Sequence, residues 1–266
     1  MRLTGLLYRG GIVIAYTVML LPVLLLVVTS VFSDAIISFP PSGFSLEWYR
    51  NAIGREEFLN GFIVSFKVAA IATVIGVPVG TAASMALVRS NIRAKQAITT
   101  FLLGPIIVPG IVAGTALYLT YLLGQNWLDT DIVGTLPGLV AAHILLTIPW
   151  TVRVVTAGLQ GLDRSVEEAA LNLGARPLTV FWRVTLPMMR PAIVAASMFS
   201  FIQSFENLEL TLLLVGPGMS TLPIAMLNYL EFQIDPTLAA VATIQIVVIA
   251  AMMLITDRYV KLSRIV

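Results

Sequence analysis

Long runs without charge constrain this chain more than any other feature of its sequence. Residues 11–32 contain no charged side chain over 22 positions, and residues 96–128 contain none over 33. A run of roughly 20 apolar residues is long enough to cross a bilayer as a helix. Hydrophobic residues make up 58% of the chain and charged residues 11%, whereas soluble domains are about a quarter charged. The composition therefore excludes a soluble globular protein and predicts an integral membrane protein.

The positions of the apolar runs predict an all-α membrane fold with six transmembrane helices. Arg2 and Arg9 precede the first run, as they would in a signal peptide. That run is longer than the roughly 7–15 apolar residues of a signal peptide, so we expect an uncleaved helix. The six spans are expected at about 11–32, 59–88, 97–123, 136–158, 191–214 and 236–256.

The uncharged stretch 210–230 is long enough to suggest a seventh span. Gly216, Pro217 and Gly218 interrupt its middle, and Pro223 interrupts it again. Such residues break helices, and the freed backbone groups would lack partners in lipid. We therefore interpret this stretch as the end of the fifth helix, a turn and a short re-entrant or surface helix.

The distribution of basic residues predicts the orientation of the spans. With six spans, the four segments on the side of the N-terminus carry 13 of the 16 Lys and Arg residues. The segments on the other side carry only Arg50 and Arg55. Because cytoplasmic segments of membrane proteins are rich in Lys and Arg, both termini are expected in the cytoplasm. A seventh span would move the basic segment 257–266 to the outside.

Few residues of this chain are suited to catalysis or metal binding. Cysteine is absent and His143 is the only histidine, so disulfides and Cys-based metal sites are excluded and a His-based site lacks partners. A phosphate-binding P-loop requires Gly-Lys-Ser/Thr, and none of Lys67, Lys95 and Lys261 follows a glycine. We predict a protein that is not an enzyme, with no metal and no cofactor. His143 is expected to be a packed, hydrogen-bonded helix residue.

The segment 161–187, between the fourth and fifth spans, has the sequence of an ordered loop. Ser165 and Glu168 have the spacing of a capping box, which starts a helix. Gly174 is placed to end that helix in a left-handed conformation. A second short helix is expected between the two prolines of the loop, Pro177 and Pro187.

The first helix of this loop has an apolar face, which we expect to bury against the chain's own spans. From the residues alone, a capped amphipathic helix of this kind either ties the loop down or docks on another protein. Its face is formed at helical spacing by Val166, Ala169, Ala170 and Leu173.

The same loop carries a pattern that resembles a known family motif. Glu168-Ala169-Ala170, then Gly174 and, after nine residues, Val184-x-Leu186-Pro187 resembles the EAA motif. This motif characterises permease subunits of binding-protein-dependent ABC importers of the type I fold. The usual pattern has isoleucine where Val184 stands.

The resemblance implies that the loop is a coupling helix that lies in a groove of an ATPase subunit. Glu168 would be a capping or contact carboxylate, Gly174 the turn, and Leu186-Pro187 the return to the membrane. The implied coupling residues are Ser165, Glu168, Ala169, Ala170, Gly174, Leu186 and Pro187. The implied partners are a homodimeric ABC ATPase, a second homologous permease, a periplasmic or lipoprotein substrate-binding protein and the lipid of a bacterial inner membrane, with no nucleic acid.

Polar side chains within the predicted spans are a second candidate site. An ionisable group at the centre of a span costs about 2.5–3.5 kcal/mol, so such groups are candidates for function. Three alternatives remain open: these residues line a path that favours a cation, a glutamate pairs with the lysine and pins two helices together, or a glutamate simply reaches the outer interface. The residues are Gln203, Glu206, Asn207 and Glu209 in the fifth span and Lys67 in the second.

The fifth span, Thr221-Leu222-Pro223 and Asp235-Pro236 are together similar to the spermidine/putrescine-type branch of these permeases. This similarity implies a polyamine or a related organic cation as cargo. The alternative is an ion-coupled secondary transporter that uses Glu206 and Glu209.

Two groups of residues predict local helix geometry. Pro105, Pro109 and Gly110 predict a kink in the third span. A ridge of small residues, which permits close helix packing, is expected in the second span at Gly76, Gly80 and Ser84.

Overall fold

The computed structural model describes residues 2–36 and 38–260, and within them it contains eleven α-helices. Lys261 and Arg264 of the basic C-terminal segment lie outside the described residues. A π-helical segment, Phe181–Thr185, and a 3-10 helix, Thr211–Leu213, complete the described helical structure. The α-helices are α1 (Arg2–Thr29), α2 (Glu47–Gly54), α3 (Glu56–Arg89), α4 (Lys95–Ile107), α5 (Gly110–Leu128), α6 (Leu136–Gln160), α7 (Arg164–Asn172), α8 (Pro177–Val180), α9 (Leu186–Phe205), α10 (Leu222–Phe232) and α11 (Thr237–Val260).

The chain divides into two compact units. One comprises Met1–Leu59 and Ala225–Ala250, and the other comprises Asn60–Ile224 and Ala251–Val266. The loop 161–187 and the candidate polar residues of the predicted second and fifth spans all belong to the second unit. The candidate functional sites can therefore be described within that unit alone.

The predicted all-α membrane fold is confirmed. Among the described residues, five helices are long and apolar enough to cross a membrane, and a sixth span results if α4 and α5 are taken as one bent span. The five are Tyr8–Thr29, Glu56–Arg89, Leu136–Gln160, Pro177–Phe205 and Thr237–Arg258.

The third span is divided into two helices. The axes of α4 and α5 are bent by 104° at a break between Ile107 and Gly110. Pro109 lies in this break and has no backbone N–H to continue a helix, while its carbonyl accepts the first hydrogen bond of α5, from Ala113 at 3.0 Å. The predicted kink is thus a break that turns the chain by more than a right angle. After this break α5 continues to Leu128, beyond the predicted helix end near position 123.

The fifth span begins earlier and ends earlier than the predicted 191–214. A continuous helical path starts at Pro177, passes through the π-helical segment and ends at Phe205. The side-chain Oδ1 of Asn207 then accepts hydrogen bonds from the backbone N–H groups of Leu210 and Thr211, at 3.1 and 3.3 Å. Asparagine side chains that bond nearby backbone compete with the helical ladder, which explains why the helix stops here.

The stretch 210–230 forms a turn followed by a short helix. Gly218 has a φ of 78°, in the left-handed region that favours glycine. The helix α10 that follows has 11 residues, about 16 Å at 1.5 Å per residue, which is too short to cross a bilayer.

Helix α6 forms the centre of the second unit. It has a long buried face, and it packs against α9 and against the small residues of α3. A side chain at Gly80 would place its Cβ 2.7 Å from the Cβ of Thr151, and Ser84 Oγ lies 3.4 Å from the carbonyl oxygen of Val152. The predicted small-residue ridge therefore packs closely against α6.

Candidate coupling loop and polar site in the membrane

Helix α7 of the loop is capped by an aspartate that the sequence pattern did not indicate. The helix begins at Arg164, and Asp163 Oδ1 accepts a hydrogen bond from the backbone N–H of Ser165 at 2.9 Å. This hydrogen bond also holds the pKa of Asp163 below its usual value. The predicted capping box of Ser165 and Glu168 is therefore wrong. Asp163 takes the cap because a carboxylate there accepts an N–H bond and faces the positive end of the helix dipole.

The end of α7 has the geometry predicted for Gly174. Its φ is 85°, and the Gly174 N–H donates to the Leu171 carbonyl at 2.9 Å. The Ala175 N–H donates to the Ala170 carbonyl at 3.1 Å. This pair of bonds is the Schellman motif, which fixes the direction in which the chain leaves the helix.

The second half of the loop differs from the prediction. Pro177 starts α8, as expected, but Pro187 does not end a helix. The N–H of Leu186 bonds to the carbonyl of Phe181, five residues earlier, so the chain passes through a π-helical turn into α9. Pro187 then occupies the first turn of α9, where a missing N–H is tolerated.

The apolar face of α7 points away from the described part of the chain, contrary to our expectation of burial. No residue of α7 is buried, and the side chains of Val166 and Leu173 are 44% and 89% exposed. Leu178 and Trp182, later in the loop, are 68% and 59% exposed. An exposed group of large apolar side chains is typical of an interaction surface.

Glu167, which the motif analysis missed, is the residue that attaches α7 to the second unit. Its Oε1 accepts a hydrogen bond from Arg89 Nη2 at 2.7 Å and another from Thr185 Oγ1 at 2.8 Å. Glu168, next to it, is exposed and has no ion pair among the described residues. Which of two adjacent glutamates faces inward depends on how the helix is rotated about its axis relative to the spans. The sequence pattern did not fix that rotation.

The acidic residues at the end of α9 are separate from Lys67. Glu206 caps the end of α9, Glu209 lies in the turn that follows, and both are exposed, as is Lys67 on α3. Within the described residues neither glutamate forms an ion pair with Lys67. The alternative in which such a pair pins two helices together is therefore wrong for this structure.

His143 connects α6 to the broken end of α9. Its ring is 1% exposed, with Nδ1 2.7 Å from Ser204 Oγ and Nε2 3.1 Å from Thr211 Oγ1. The Thr211 hydroxyl donates its only proton to the Asn207 carbonyl at 2.7 Å, so it must accept from Nε2–H. With the proton on Nε2, the neutral imidazole leaves Nδ1 as the acceptor of the Ser204 hydroxyl. The predicted packed, hydrogen-bonded histidine is confirmed.

A cavity of about 670 Å³ lies between the break of the third span, α6 and the end of α9. Its lining is apolar apart from a few groups, among them the amides of Gln203 and Asn207 and the ring of Trp150. The carboxylate of Glu209 lies so close to Gly110, a lining residue, that a side chain at Gly110 would collide with it. The structure thus brings Gln203 and Asn207 into the lining and places the Glu209 carboxylate beside it at Gly110. Glu206 and Lys67 do not line the cavity.

This arrangement suits binding more than bond-making chemistry. Among the described residues no group of three His, Asp or Glu side chains is placed to hold a metal ion. A mostly apolar cavity with a few convergent polar groups is typical of a site for a small molecule.

Known proteins similar to this chain are membrane transport subunits. The putrescine transport system permease protein PotI of Escherichia coli (strain K12) is 28% identical over 88% of this chain and 83% of its own length. The spermidine/putrescine transport system permease protein PotC of the same organism is 27% identical over 96% of both chains.

The fold is similar to that of a solved transporter. The structure of the bacterial alginate ABC transporter in complex with alginate pentasaccharide-bound periplasmic protein contains a chain that matches with a TM-score of 0.74. The match covers 97% of this chain and 94% of that chain at 15% identity. At this identity the likeness shows the fold alone, which is that of an ABC transporter subunit in the membrane.

A family model assigns the chain. The model described as "Binding-protein-dependent transport system inner membrane component" matches residues 72–264, which include both α7 and the polar end of α9. The match covers well over half of the sequence. This protein therefore belongs to the binding-protein-dependent transport system inner membrane components, the multi-pass permease subunits of ABC importers.

Proposed function

We propose that this chain is the permease of an ATP-driven importer for a polyamine or a related small organic cation. The observation that carries the proposal is that two relatives named for putrescine and for spermidine/putrescine match 88% and 96% of the chain. The matches run through the residues of the cavity and of the loop. The substrate class is therefore taken from relatives of nearly the same length.

The chemistry of the cavity supports a cationic cargo with an aliphatic chain. A polyamine joins ammonium groups by methylene segments, and the apolar lining of the cavity suits those segments. The amide oxygen of Gln203, which lines the cavity, can accept from an ammonium group. Glu209 adds a negative charge beside the cavity. Glu206 and Lys67 would act only at exposed positions elsewhere on the pathway.

The loop 161–187 would dock on the ATPase subunit. Its exposed apolar side chains suit a groove on a partner, and the Schellman turn at Gly174 fixes the angle between α7 and the chain that leads into α9. Ser165, Glu168 and Ala169 lie on the exposed side of α7, with Ala170 half-buried beside them. Leu186 and Pro187 would return the chain to the membrane.

The assembly would comprise this chain, a second homologous permease, a homodimeric ABC ATPase and a periplasmic or lipoprotein binding protein. ATP hydrolysis would occur on the ATPase, since this chain has no P-loop. Both termini would lie in the cytoplasm, because 13 of 16 basic residues fall on that side of a six-span arrangement. This orientation places α7 on the side where an ATPase would meet it.

Reconstitution of the complete importer tests this proposal. The chain is co-expressed with the ATPase, the second permease and the binding protein encoded beside it, and the purified complex is placed in liposomes. Uptake of radiolabelled putrescine and spermidine is expected to require ATP inside the liposomes and binding protein outside. Saturating choline, molybdate and an oligosaccharide serve as competitors that differ in charge and size.

Two results would contradict the proposal. Absence of ATP-dependent uptake of both labelled polyamines by a complex that hydrolyses ATP would refute the substrate class. Uptake driven by a proton gradient without ATP would instead favour the ion-coupled alternative based on Glu206 and Glu209.

A further inference from the structure

Helix α7 is attached to the second unit through very few side chains. Glu167 Oε1 accepts from Arg89 Nη2 at 2.7 Å and from Thr185 Oγ1 at 2.8 Å. The only other long-range hydrogen bond of α7 among the described residues joins Arg164 Nη2 to the Val88 carbonyl at 3.1 Å. Since no residue of α7 is buried, packing contributes little and this carboxylate is its main anchor.

The two donors that meet at Glu167 belong to different spans. Arg89 is the last residue of α3, and Thr185 is the last residue of the π-helical segment that leads into α9. One carboxylate oxygen thus joins the coupling helix to the second and fifth spans at once. We call this group of three side chains, Arg89, Glu167 and Thr185, the α7 junction.

The hydroxyl of Thr185 bonds across to another helix. Thr99, Thr115 and Thr120 each donate to the carbonyl four residues earlier in their own helix. Thr185 is 4% exposed and donates to Glu167 instead. It lies in a π-helical turn, a feature that is frequent at functional sites. The local backbone therefore directs this hydroxyl away from its own helix and towards α7.

The ion pair at the α7 junction is partly shielded from water. The side chains of Arg89 and Glu167 are 20% and 18% exposed. A shielded, charge-assisted hydrogen bond is stronger and more rigid than a pair on the open surface. The Arg164 guanidinium also bonds one of the last carbonyls of α3, which have no partner within the helix. Both arginines therefore attach α7 to the same end of α3.

We infer that Glu167 is a positioning residue that transmits movement of α7 to α3 and α9 together. The inference rests on the proposed coupling function of the loop. Glu168, exposed and unpaired among the described residues, is left free to face the ATPase. The two adjacent glutamates thus have different roles: Glu167 faces the membrane spans and Glu168 faces the partner.

The first test measures uptake and ATP hydrolysis in the same liposomes with the complete importer. Glu167→Gln and Thr185→Val are expected to lower the cargo moved per ATP by about tenfold, as for a lost coupling of 1.4 kcal/mol. Thr185→Ser keeps the hydroxyl and should preserve the ratio. Thr99→Val is the matched control, since it removes a helical threonine hydroxyl that donates only within its own helix, to the Lys95 carbonyl at 2.8 Å. The ATPase is expected to co-purify with every one of these variants.

The outcomes of this test separate the junction from a general structural role. An unchanged ratio in Glu167→Gln and Thr185→Val would overturn the inference, and so would an equal loss in Thr185→Ser. If Glu167→Gln does not accumulate in the membrane, the pair Thr185→Val and Thr185→Ser decides the question. Absence of any ATP-driven uptake by the wild-type complex would refute the proposed function, and the second test would then decide on the junction.

The second test needs no cargo and no ATPase. The chain has no cysteine, so cysteines introduced at the exposed positions Ala86 and Asn172 give a unique pair of spin labels on α3 and α7. In the full-length chain in lipid nanodiscs, the wild type and Thr185→Ser should give one narrow distance distribution. Glu167→Gln and Thr185→Val should broaden it. Equal widths in all four proteins would overturn the inference.

Discussion

The α7 junction and the broken end of α9 are both polar clusters that join separate helices, but they use different chemistry. The junction relies on an ion pair, Arg89 with Glu167, whose side chains keep about a fifth of their surface exposed. The end of α9 relies on neutral groups, His143 with Ser204 and Thr211, which are at most 2% exposed. Charge is used where water can reach it, and neutral hydrogen bonds are used where it cannot.

This difference follows from the cost of burying charge. A charged pair removed from water loses solvation that its attraction does not always restore. A histidine between two hydroxyls is satisfied without ionisation, provided that every proton has an acceptor. The glutamates of the α9 end, Glu206 and Glu209, remain exposed for the same reason. The two clusters should therefore respond differently to substitution.

The largest effect is expected from Gly174→Val, which breaks only the loop. A β-branched residue at a φ of 85° costs about 1–3 kcal/mol, and it would disturb the Schellman turn that aims α7. Uptake by the reconstituted importer should fall by more than tenfold while insertion in the membrane is retained. Gly161→Ala is the control, because Gly161 has a φ of −80° and a Cβ there would meet its nearest atom at 3.5 Å. Full uptake by Gly174→Val would contradict the coupling role of the turn.

The second prediction breaks only the end of α9. His143→Leu leaves Ser204 and Thr211 without their buried partner, and we expect a loss of about 1–3 kcal/mol in the free energy of unfolding. Thermal unfolding in detergent measures this loss, and the KM for cargo should rise because Asn207 is no longer held in place.

Thr243→Val is the control for this prediction. Thr243 is also buried, but its hydroxyl donates only within its own helix, to the Ala239 carbonyl at 2.7 Å. Equal losses in the free energy of unfolding for the two variants would show that the hydrogen bonds from α6 to the end of α9 stabilise the fold no more than a hydrogen bond within one helix.

The sequence predicted the outline of the loop but not which glutamate anchors it. Gly174 was predictable because a left-handed helix end has a strong residue preference. The cap at Asp163 places the start of the helix two residues earlier than the apparent capping box indicated. The side chain of Glu167 faces inward because Arg89 and Thr185 bond it, and the predicted apolar face is exposed. The local sequence offered two possible caps and two adjacent glutamates of the same type. The tertiary contacts with Arg89 and Thr185 determine which glutamate faces inward.

The end of α9 was predicted less well for a related reason. Apolar residues return after Glu209, at Leu210 and at residues 212–214, so the sequence predicted a helix to about position 214. The helix ends because Asn207 bonds the backbone ahead of it and Thr211 bonds His143, a contact across 68 residues of sequence. Composition reports burial in the membrane but not such long-range hydrogen bonds. Gln203 and Asn207 were identified as candidates, while the cavity they share required the break at Pro109.

The third prediction compares the effect of Glu209 on cargo binding with the effects of Glu206 and Lys67. Glu209→Gln should raise the KM for a polyamine by about two- to fivefold, since an attraction to an exposed carboxylate is worth up to about 1 kcal/mol. Glu206→Gln should have a smaller effect and Lys67→Gln none, because of the three residues only Glu209 lies against a lining residue, Gly110. The measurement is uptake at varied polyamine concentration and at two ionic strengths. An effect of Lys67→Gln as large as that of Glu209→Gln would contradict the assignment of the cavity to cargo.

The smallest effect is expected at the start of α7, where Asp163 and not Ser165 is the cap. Asp163→Ala should speed amide hydrogen exchange at Ser165 and in the first turn, whereas Ser165→Ala should leave the first turn unchanged. Asp163→Asn is the conservative control, since an amide oxygen can accept the same bond at 2.9 Å. Because hydrogen bonds from Ser165 lower the pKa of Asp163 from its ordinary value of 3.8, its stabilisation is complete above 3.8 and is lost as the pH falls through the lowered value. This carboxyl therefore stays ionised near neutral pH, and uptake there should not vary with pH because of it. Amide exchange in the first turn should become faster only in strong acid. Faster exchange in the first turn of Ser165→Ala than of Asp163→Ala would restore Ser165 as the cap and contradict its assignment to Asp163.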